Sequence, residues 1–539
     1  ENDISSLAEN ARVEGVGVRV EWGPKNLKKA VACGHSDVAW WLVEHRPHVL
    51  HNLNKALHCA VRNGDVLVAE WLLSQGARWP HDPRGHSAGH QLAQNGRLDV
   101  LKWLDGKGQI GKALGYLANA AEGGQLDVVR WLIERDTRNS RESSKGRMTN
   151  LGGQASLAIH AAAVYGHLNV AKYLRAQAKA PSSVQYALQA QKQRRLVEHL
   201  RHQLGRYNRS AMVSGKTMAT AAGKGYIGMV QWLHEEFGCD PEVDLFDYDK
   251  TQPRHTFADI VAMDSAAKNG HLEVVKYLHD VQISMQASAK KRKRDHTKQK
   301  CTPTCTIKAM DDAAANGHLK VVQWLHSNRS EGCTKSAMDE AAANGQLDVV
   351  LWLHENRREG CSSSAMDGAA RNGQLGVVKW LHKNSTAGCT ARAMDDAATS
   401  GHLEIVKWLH EHRAESSIDA AMAGAANFGR LDIVKWLHRK IPHACSGEMD
   451  KAAEGGKLRL LQWLYTNCSK HKVTFGIDEA VRYNYFEAVL FLYHQCQAEC
   501  TEEAARATIN NDETEDLRAW LLERHPEFEA VEEEEEAFD

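Results

Sequence analysis

What this 539-residue sequence lacks narrows its function before anything it contains. It has no excess of one charge: 67 lysines and arginines meet 68 aspartates and glutamates. No global field therefore draws it to nucleic acid or to a membrane surface, and electrostatic recognition has to come from local patches. It has no run of about 18 apolar residues, so no segment is read as spanning a bilayer. Residues 1–20 lack the charged-then-apolar layout of a signal peptide, although the start at Glu1 rather than methionine leaves an upstream segment open. P-loop, HExxH, GxSxG and kinase signatures are all missing, and no nucleophile stands with an orienting base. The expectation is a chain that is not an enzyme, with no catalytic residue and no cofactor. At 43% hydrophobic it still has the means to bury a large core.

Metal and disulfide frameworks are equally hard to find. Cys301-x3-Cys305 and Cys496-x3-Cys500 have no matching second pair, so no zinc site is assigned. Cys305, Cys333, Cys361 and Cys389 recur 28 residues apart, one structural position repeated. Stacked repeats lie about 10 Å apart, whereas a disulfide needs Cα atoms within about 7 Å. All twelve cysteines are read as thiols in a reducing, intracellular setting, cytoplasmic and/or nuclear.

What is present is a repeat. AMDDAAANGHLKVVQWLH (309–326) is followed by AMDEAAANGQLDVVLWLH (337–354), AMDGAARNGQLGVVKWLH (365–382) and AMDDAATSGHLEIVKWLH (393–410). Gly317, Gly345, Gly373, Gly401 and Gly429 keep a 28-residue step, then Gly456 and finally Asn484 take the slot. Upstream the unit centres on Gly34, Gly64, Gly96, Gly124, Gly166, Gly225 and Gly270 at irregular spacing. Each unit reads as two short helices. The first stops at Asn-Gly, where a left-handed residue closes a helix and only Gly or Asn does so cheaply. The second places Leu403, Ile405, Val406, Trp408 and Leu409 on one apolar arc, with Glu404 and Lys407 opposite. Ser336 with Asp339 and Ser364 with Asp367 have capping-box spacing. Eleven of fifteen tryptophans stand seven residues after an anchor, which predicts a packed ladder inside the core. A helix pair this small buries its apolar face only against its neighbours.

The motif AAxxGHLEVVKWLH resembles the central half of the ankyrin repeat over most of residues 29–500. Forms such as SAMD at 336–339 and 364–367 stand where ankyrins carry TPLH, so Asp replaces His. The 28-residue period and the tryptophans are similar to the short repeats of oomycete ankyrin proteins. The resemblance implies an all-α, ankyrin-like solenoid of helix-turn-helix repeats with short inter-repeat loops. It also implies protein partners engaged through the first helices, and it is silent on which partners.

The expected organisation is an N-terminal flank or cap at 1–28 and repeats at 29–178 with a polar, flexible insertion at 137–156. A degenerate repeat or inserted helix follows at 179–215, then repeats at 216–280 with an acidic loop at 235–260. A basic inserted loop occupies 281–304, regular repeats 305–500, and a C-terminal cap with an acidic tail 501–539.

Three constellations remain as candidate sites. His234, His279, His326, His354, His382, His410 and His438 follow the Trp-Leu pair. A spacing near 10 Å denies neighbours a shared metal at about 2 Å, so bonds to helix-terminal carbonyls are expected instead. Lys290, Lys291, Arg292, Lys293 and Arg294 match the short basic peptide read by nuclear importers. Asp312, Glu340 and Asp396 form an acidic column on the first helices, expected to face water and to receive a basic segment of a partner. The function expected is a non-catalytic scaffold or adaptor, a monomer or a component of a complex, with no direct nucleic-acid or membrane partner. The alternatives are a nuclear regulatory protein directed by the basic run, or the recognition part of a larger enzyme complex.

Overall fold

The computed structural model describes residues 24–45, 53–78, 88–110, 116–142, 151–178, 213–238, 243, 245–246, 261–291, 302–413, 418–440, 447–468, 476–508 and 514–528. Every regular element among them is a helix, and the helices come in pairs. The chain divides into two compact units: residues 1–222, 226–259 and 295–302 form the first, and 223–225, 260–294 and 303–539 the second.

In the second unit the pairs repeat with little variation, as in Ile307–Ala315 with Leu319–Asn328, Lys335–Ala343 with Leu347–Asn356, and Ser363–Arg371 with Leu375–Asn384. First helices stack on first helices. Ala337, Met338, Ala341 and Ala342 let them approach closely, and Val349, Val350 and Leu353 seal the core from the second helix, none more than 3% exposed. Each fully buried Val or Leu contributes roughly 1.5–3 kcal/mol. The tryptophans of these regular repeats are not in that core, unlike Trp232 and Trp520, which are buried. Trp324, Trp352, Trp380, Trp408 and Trp436 are half-buried, each covering the seam between neighbouring second helices. A ring seven residues past the glycine falls at the edge of the apolar arc, and the smaller valines fill its centre.

The turn closes as the glycine pattern requires. Gly345 has φ +75°, its N–H donates to the carbonyl of Ala342, and Gln346 N–H donates to Ala341. That pair of bonds satisfies the orphaned carbonyls at the helix end. Asn484, the one non-glycine in the column, takes φ +57°.

Polar side chains tie each repeat to the next at both ends of the first helix. At the C-terminal end, Asn344 Nδ2 donates to Ala315 O (2.9 Å) and Asn372 Nδ2 to Ala343 O (2.9 Å). At the N-terminal end the spacing Ser336–Asp339 is not a capping box. Thr334 caps that helix by accepting from Ser336 N (3.1 Å). Asp339 instead reaches forward to Ser362, accepting from its N–H (2.7 Å) and its hydroxyl (2.6 Å). Asp264 does the same for Thr306, Asp311 for Thr334, Asp367 for Thr390 and Asp478 for Thr501. The carboxylate therefore orients the cap of the next repeat, a long-range role that spacing within one helix conceals.

In the first unit the first helix pair is Pro24–Ala32 with Ser36–His45, and Leu27 is fully buried within it. Helix Leu126–Glu142 enters the polar stretch expected at 137–156, and helix Leu151–Tyr165 begins inside it, so only 143–150 lies outside the described residues. Most of 179–215, most of 235–260 and the acidic run Glu532–Glu536 also lie outside them. In the second unit, helices Glu502–Thr508 and Glu515–Arg524 pair at the end of the stack with Leu517 and Leu521 buried.

Candidate binding surface

Stacking leaves three surfaces of the second unit open, and the first two carry constellations expected from the sequence. The first is the outer face of the first helices. Glu340 is exposed there and Asp312 half-buried. Asp396 is ion-paired with Arg371 of the preceding repeat at 2.6 Å, with 27% of its side chain exposed, so this member of the acidic column is already engaged.

The second surface is the ladder beside the inter-repeat loops. For His279, His326 and His382 the partner shown at Nδ1 is not a helix-terminal carbonyl. His326 stands edge-on to Trp352 of the next repeat (5.2 Å, 84°), His354 to Trp380 (5.1 Å, 89°) and His382 to Trp408 (5.0 Å, 87°). A guanidinium from the following loop donates to the imidazole Nδ1: Arg329 to His279 (3.1 Å), Arg357 to His326 (3.3 Å) and Arg413 to His382 (3.5 Å). Arg329 and Arg357 are held in turn by Glu331 and Glu359. The reading of these histidines as structural stands, with a different partner set.

Cys305, Cys333, Cys361 and Cys389 lie in the same loops and are not disulfide-bonded. Burial pushes the Cys305 thiol up to about 12, with Asp264 adding to it, and raises Cys333 as well. Thiols held protonated are poor nucleophiles and poor metal ligands. Among the described residues no group of three or more His, Cys, Asp or Glu side chains is placed to hold a metal ion. Cys468 departs from the all-thiol expectation, being disulfide-bonded.

The third surface is the edge formed by the glycine turns. Asn and Gln line it in the regular repeats, but Phe428 (54% exposed), Tyr483 (56%) and Tyr485 (38%) open it to solvent further on. Sequence reading passed over these rings because it followed the tryptophan column. Their signal was the loss of Asn from the slot before the glycine. Of the basic run, Lys290 and Lys291 belong to the end of helix Leu272–Lys291 rather than to a loop, and Arg292, Lys293 and Arg294 lie outside the described residues. No helix among the described residues is long and apolar enough to cross a membrane.

Models of ankyrin repeats match residues 27–113 and 338–421 (the three-copy model) and 310–354 (the many-copy model). These matches support an ankyrin-repeat family. No curated protein matches the chain. Among solved structures, similar folds include the maize pentatricopeptide repeat protein PPR10, at 12% identity and TM-score 0.25, covering 97% of this chain and 79% of that one. The same protein in complex with an 18-nt psaJ RNA element matches at 11% identity and TM-score 0.20, covering 97% and 95%. At those scores the likeness carries no argument about partner. The ankyrin-type repeats make the chain a helical repeat solenoid of the kind that serves for binding.

Proposed function

We propose that the chain is a non-catalytic scaffold or adaptor that binds protein partners on the open face of its first helices. One observation carries the reading. Along helices Ile307–Ala315, Lys335–Ala343, Ser363–Arg371 and Arg392–Ser400, the buried Ala and Met residues that stack recur from repeat to repeat, whereas the position after the aspartate runs Asp312, Glu340, Gly368, Asp396. A surface that changes on a backbone that does not is how repeat proteins present a specific binding face. A basic partner segment is the occupant this column suits, with Asp312 and Glu340 free to receive it and Arg371 competing for Asp396.

The test is affinity purification with mass spectrometry, nuclease-treated and untreated, on the chain and on Asp312→Lys/Glu340→Lys. Exposed charges contribute little to folding, so the melting temperature should be unchanged. Partners should be lost, and binding should weaken with salt. An identical partner set from the double variant defeats the acidic-column reading, and recovery that depends on nucleic acid defeats the protein-scaffold reading. A second reading rests on the five consecutive cations Lys290–Arg294, which suit nuclear import. A fluorescent fusion that keeps its distribution after Lys291→Ala/Arg292→Ala/Lys293→Ala rules that reading out.

A further inference from the structure

Six times the sequence sets an asparagine directly before an anchor glycine: Asn63, Asn95, Asn269, Asn316, Asn344 and Asn372. All six residues are exposed. That dipeptide is able to modify itself. Glycine has no Cβ to hinder its nitrogen, which loses its proton to solvent base and attacks the asparagine Cγ. The new N–Cγ bond closes a succinimide ring, the Cγ–Nδ2 bond breaks, and ammonia leaves. Water then adds at either ring carbonyl and breaks its bond to nitrogen, giving aspartate or isoaspartate. Nothing is oxidised or reduced, and water is the only reagent consumed.

A closed turn blocks the first step. At Asn344 and Asn372 ψ is +5° and +11°, which directs the glycine nitrogen away from the asparagine Cβ. The same nitrogen donates its proton to a carbonyl three residues back, Gly345 to Ala342 (3.1 Å) and Gly373 to Ala370 (3.3 Å). Conversion therefore passes through local opening of the turn, and whatever ties the asparagine down makes opening rarer.

The ties differ from site to site. Asn344 and Asn372 donate Nδ2 to Ala315 and Ala343 of the preceding repeat, both at 2.9 Å. Asn63 donates to Val31 (2.9 Å) and Ala32 (3.1 Å). Asn269 and Asn316 donate within their own helix, to Ser265 (3.0 Å) and Asp312 (2.8 Å). The Asn95 side chain alone makes no hydrogen bond among the described residues. We propose that Asn95 is a site of spontaneous modification, converting to aspartate and isoaspartate in the folded chain well before the clasped Asn344 and Asn372. Isoaspartate adds one carbon to the main chain immediately before Gly96, whose φ of +76° and N–H bond to Ala93 (3.3 Å) close helix Ala88–Gln94. The change therefore falls on the anchor turn itself, and no enzyme is needed to make it.

The test incubates the full chain in mildly alkaline buffer made with heavy-oxygen water, which labels every converted site, and reads each site by peptide mass spectrometry. The chain unfolded in urea, where sequence alone sets the rate, is treated in parallel, and each folded rate is divided by its unfolded rate. The ratio at Asn95 should exceed those at Asn344 and Asn372 about fivefold, the factor that one net hydrogen bond supplies. Equal ratios, or a higher one at Asn344 or Asn372, overturn the proposal. Hydrogen exchange at Leu104 and Leu353, buried at matching places in the second helices, separates opening of the turn from unfolding of the repeat. An exchange difference as large as the conversion difference overturns the assignment to the clasp. Asn344→Asp, which sets a carboxylate against the Ala315 carbonyl, should lower the urea midpoint, and Asn95→Asp should leave it unchanged. Equal midpoints for the two variants mean that the clasp holds nothing, and the proposal fails.

Discussion

The two units solve one problem with different side chains. In the second, a carboxylate reaches from the first helix to the cap of the next at Asp264, Asp311, Asp339, Asp367 and Asp478, though not at Ala423: Asp367 accepts from both the N–H (2.8 Å) and the hydroxyl (2.7 Å) of Thr390. In the first, histidine holds the same position, six residues before the anchor glycine, at 58, 90 and 160. His160 Nδ1 meets Thr217 Oγ1 at 2.7 Å, and Thr217 Oγ1 also accepts from Ser214 N (3.1 Å). A carboxylate has two oxygens and takes both donors of its target, whereas an imidazole nitrogen makes one contact and leaves the capping to the hydroxyl. Where a polar group reaches from this position to the next repeat it need not carry a particular charge, and Ala118, Ala219 and Ala423 leave the position without one. The two-oxygen clamp is also indifferent to what is inserted between repeats: Asp264 reaches Thr306 although Gly270 and Gly317 are 47 residues apart.

The largest test of this equivalence uses a device both units share. Gly123 and Gly455 sit in the slot before the anchor glycine with ordinary negative φ (−79° and −84°), so no backbone strain demands glycine there. A Cβ at either would overlap the carbonyl oxygen of the preceding repeat, Gln94 in one unit and Asn427 in the other. Gly123→Ala and Gly455→Ala should each cost about 3 kcal/mol, since main chain rather than a flexible side chain has to move. Urea denaturation measures the loss, and hydrogen exchange should place it in the repeats on either side. A large loss in one unit and none in the other would show that their helices do not stack alike.

The brace itself should matter somewhat less. Asp367 is buried, and Asp367→Ala strands the N–H and hydroxyl of Thr390, for a loss of about 2 kcal/mol. Asp367→His imports the first unit's device and should recover part of that loss. Destabilisation below about 0.5 kcal/mol for the alanine variant, the range of ordinary surface changes, would mean the clamp is idle.

Periodicity carried the fold because it is a local signal. The 28-residue step, the stop at Asn-Gly and the apolar arc each follow from neighbours within one helix pair, and Asn484 was legible as a left-handed residue for the same reason. The errors arose where a side chain acts across repeats. Asp339 has the spacing of an intrahelical cap and serves Ser362, 23 residues on. Trp380 has the regularity of a core residue and lies half-buried against His354. His326 has the position of a C-terminal cap and instead accepts a hydrogen bond from Arg357. Binding residues were the least legible, because a face that receives a partner is free of the packing rules that make a sequence readable.

Acid should divide the two devices with the smallest effect and the clearest sign. Burial, with Lys216 adding to it, holds the His160 imidazole below its ordinary 6.5. The unfolded chain then takes up that proton before the folded one, so stability is lost as pH falls below about 6.5. Asp264 behaves oppositely. Burial raises its carboxyl above the ordinary 3.8, with Asp312 in the same direction, against the pull of the two Thr306 donors. The folded chain takes up that proton first, so stability is gained as pH falls through the raised value towards 3.8. The comparison is made by hydrogen exchange in helices Gly215–Gly223 and Ile307–Ala315, corrected for intrinsic rates, between pH 7 and 4. Subtracting His160→Gln and Asp264→Asn from the unchanged chain removes every other titrating group. The His160 difference should fall with acid and the Asp264 difference should rise. If both run in the same direction, one of the two braces is not the contact that orients its cap.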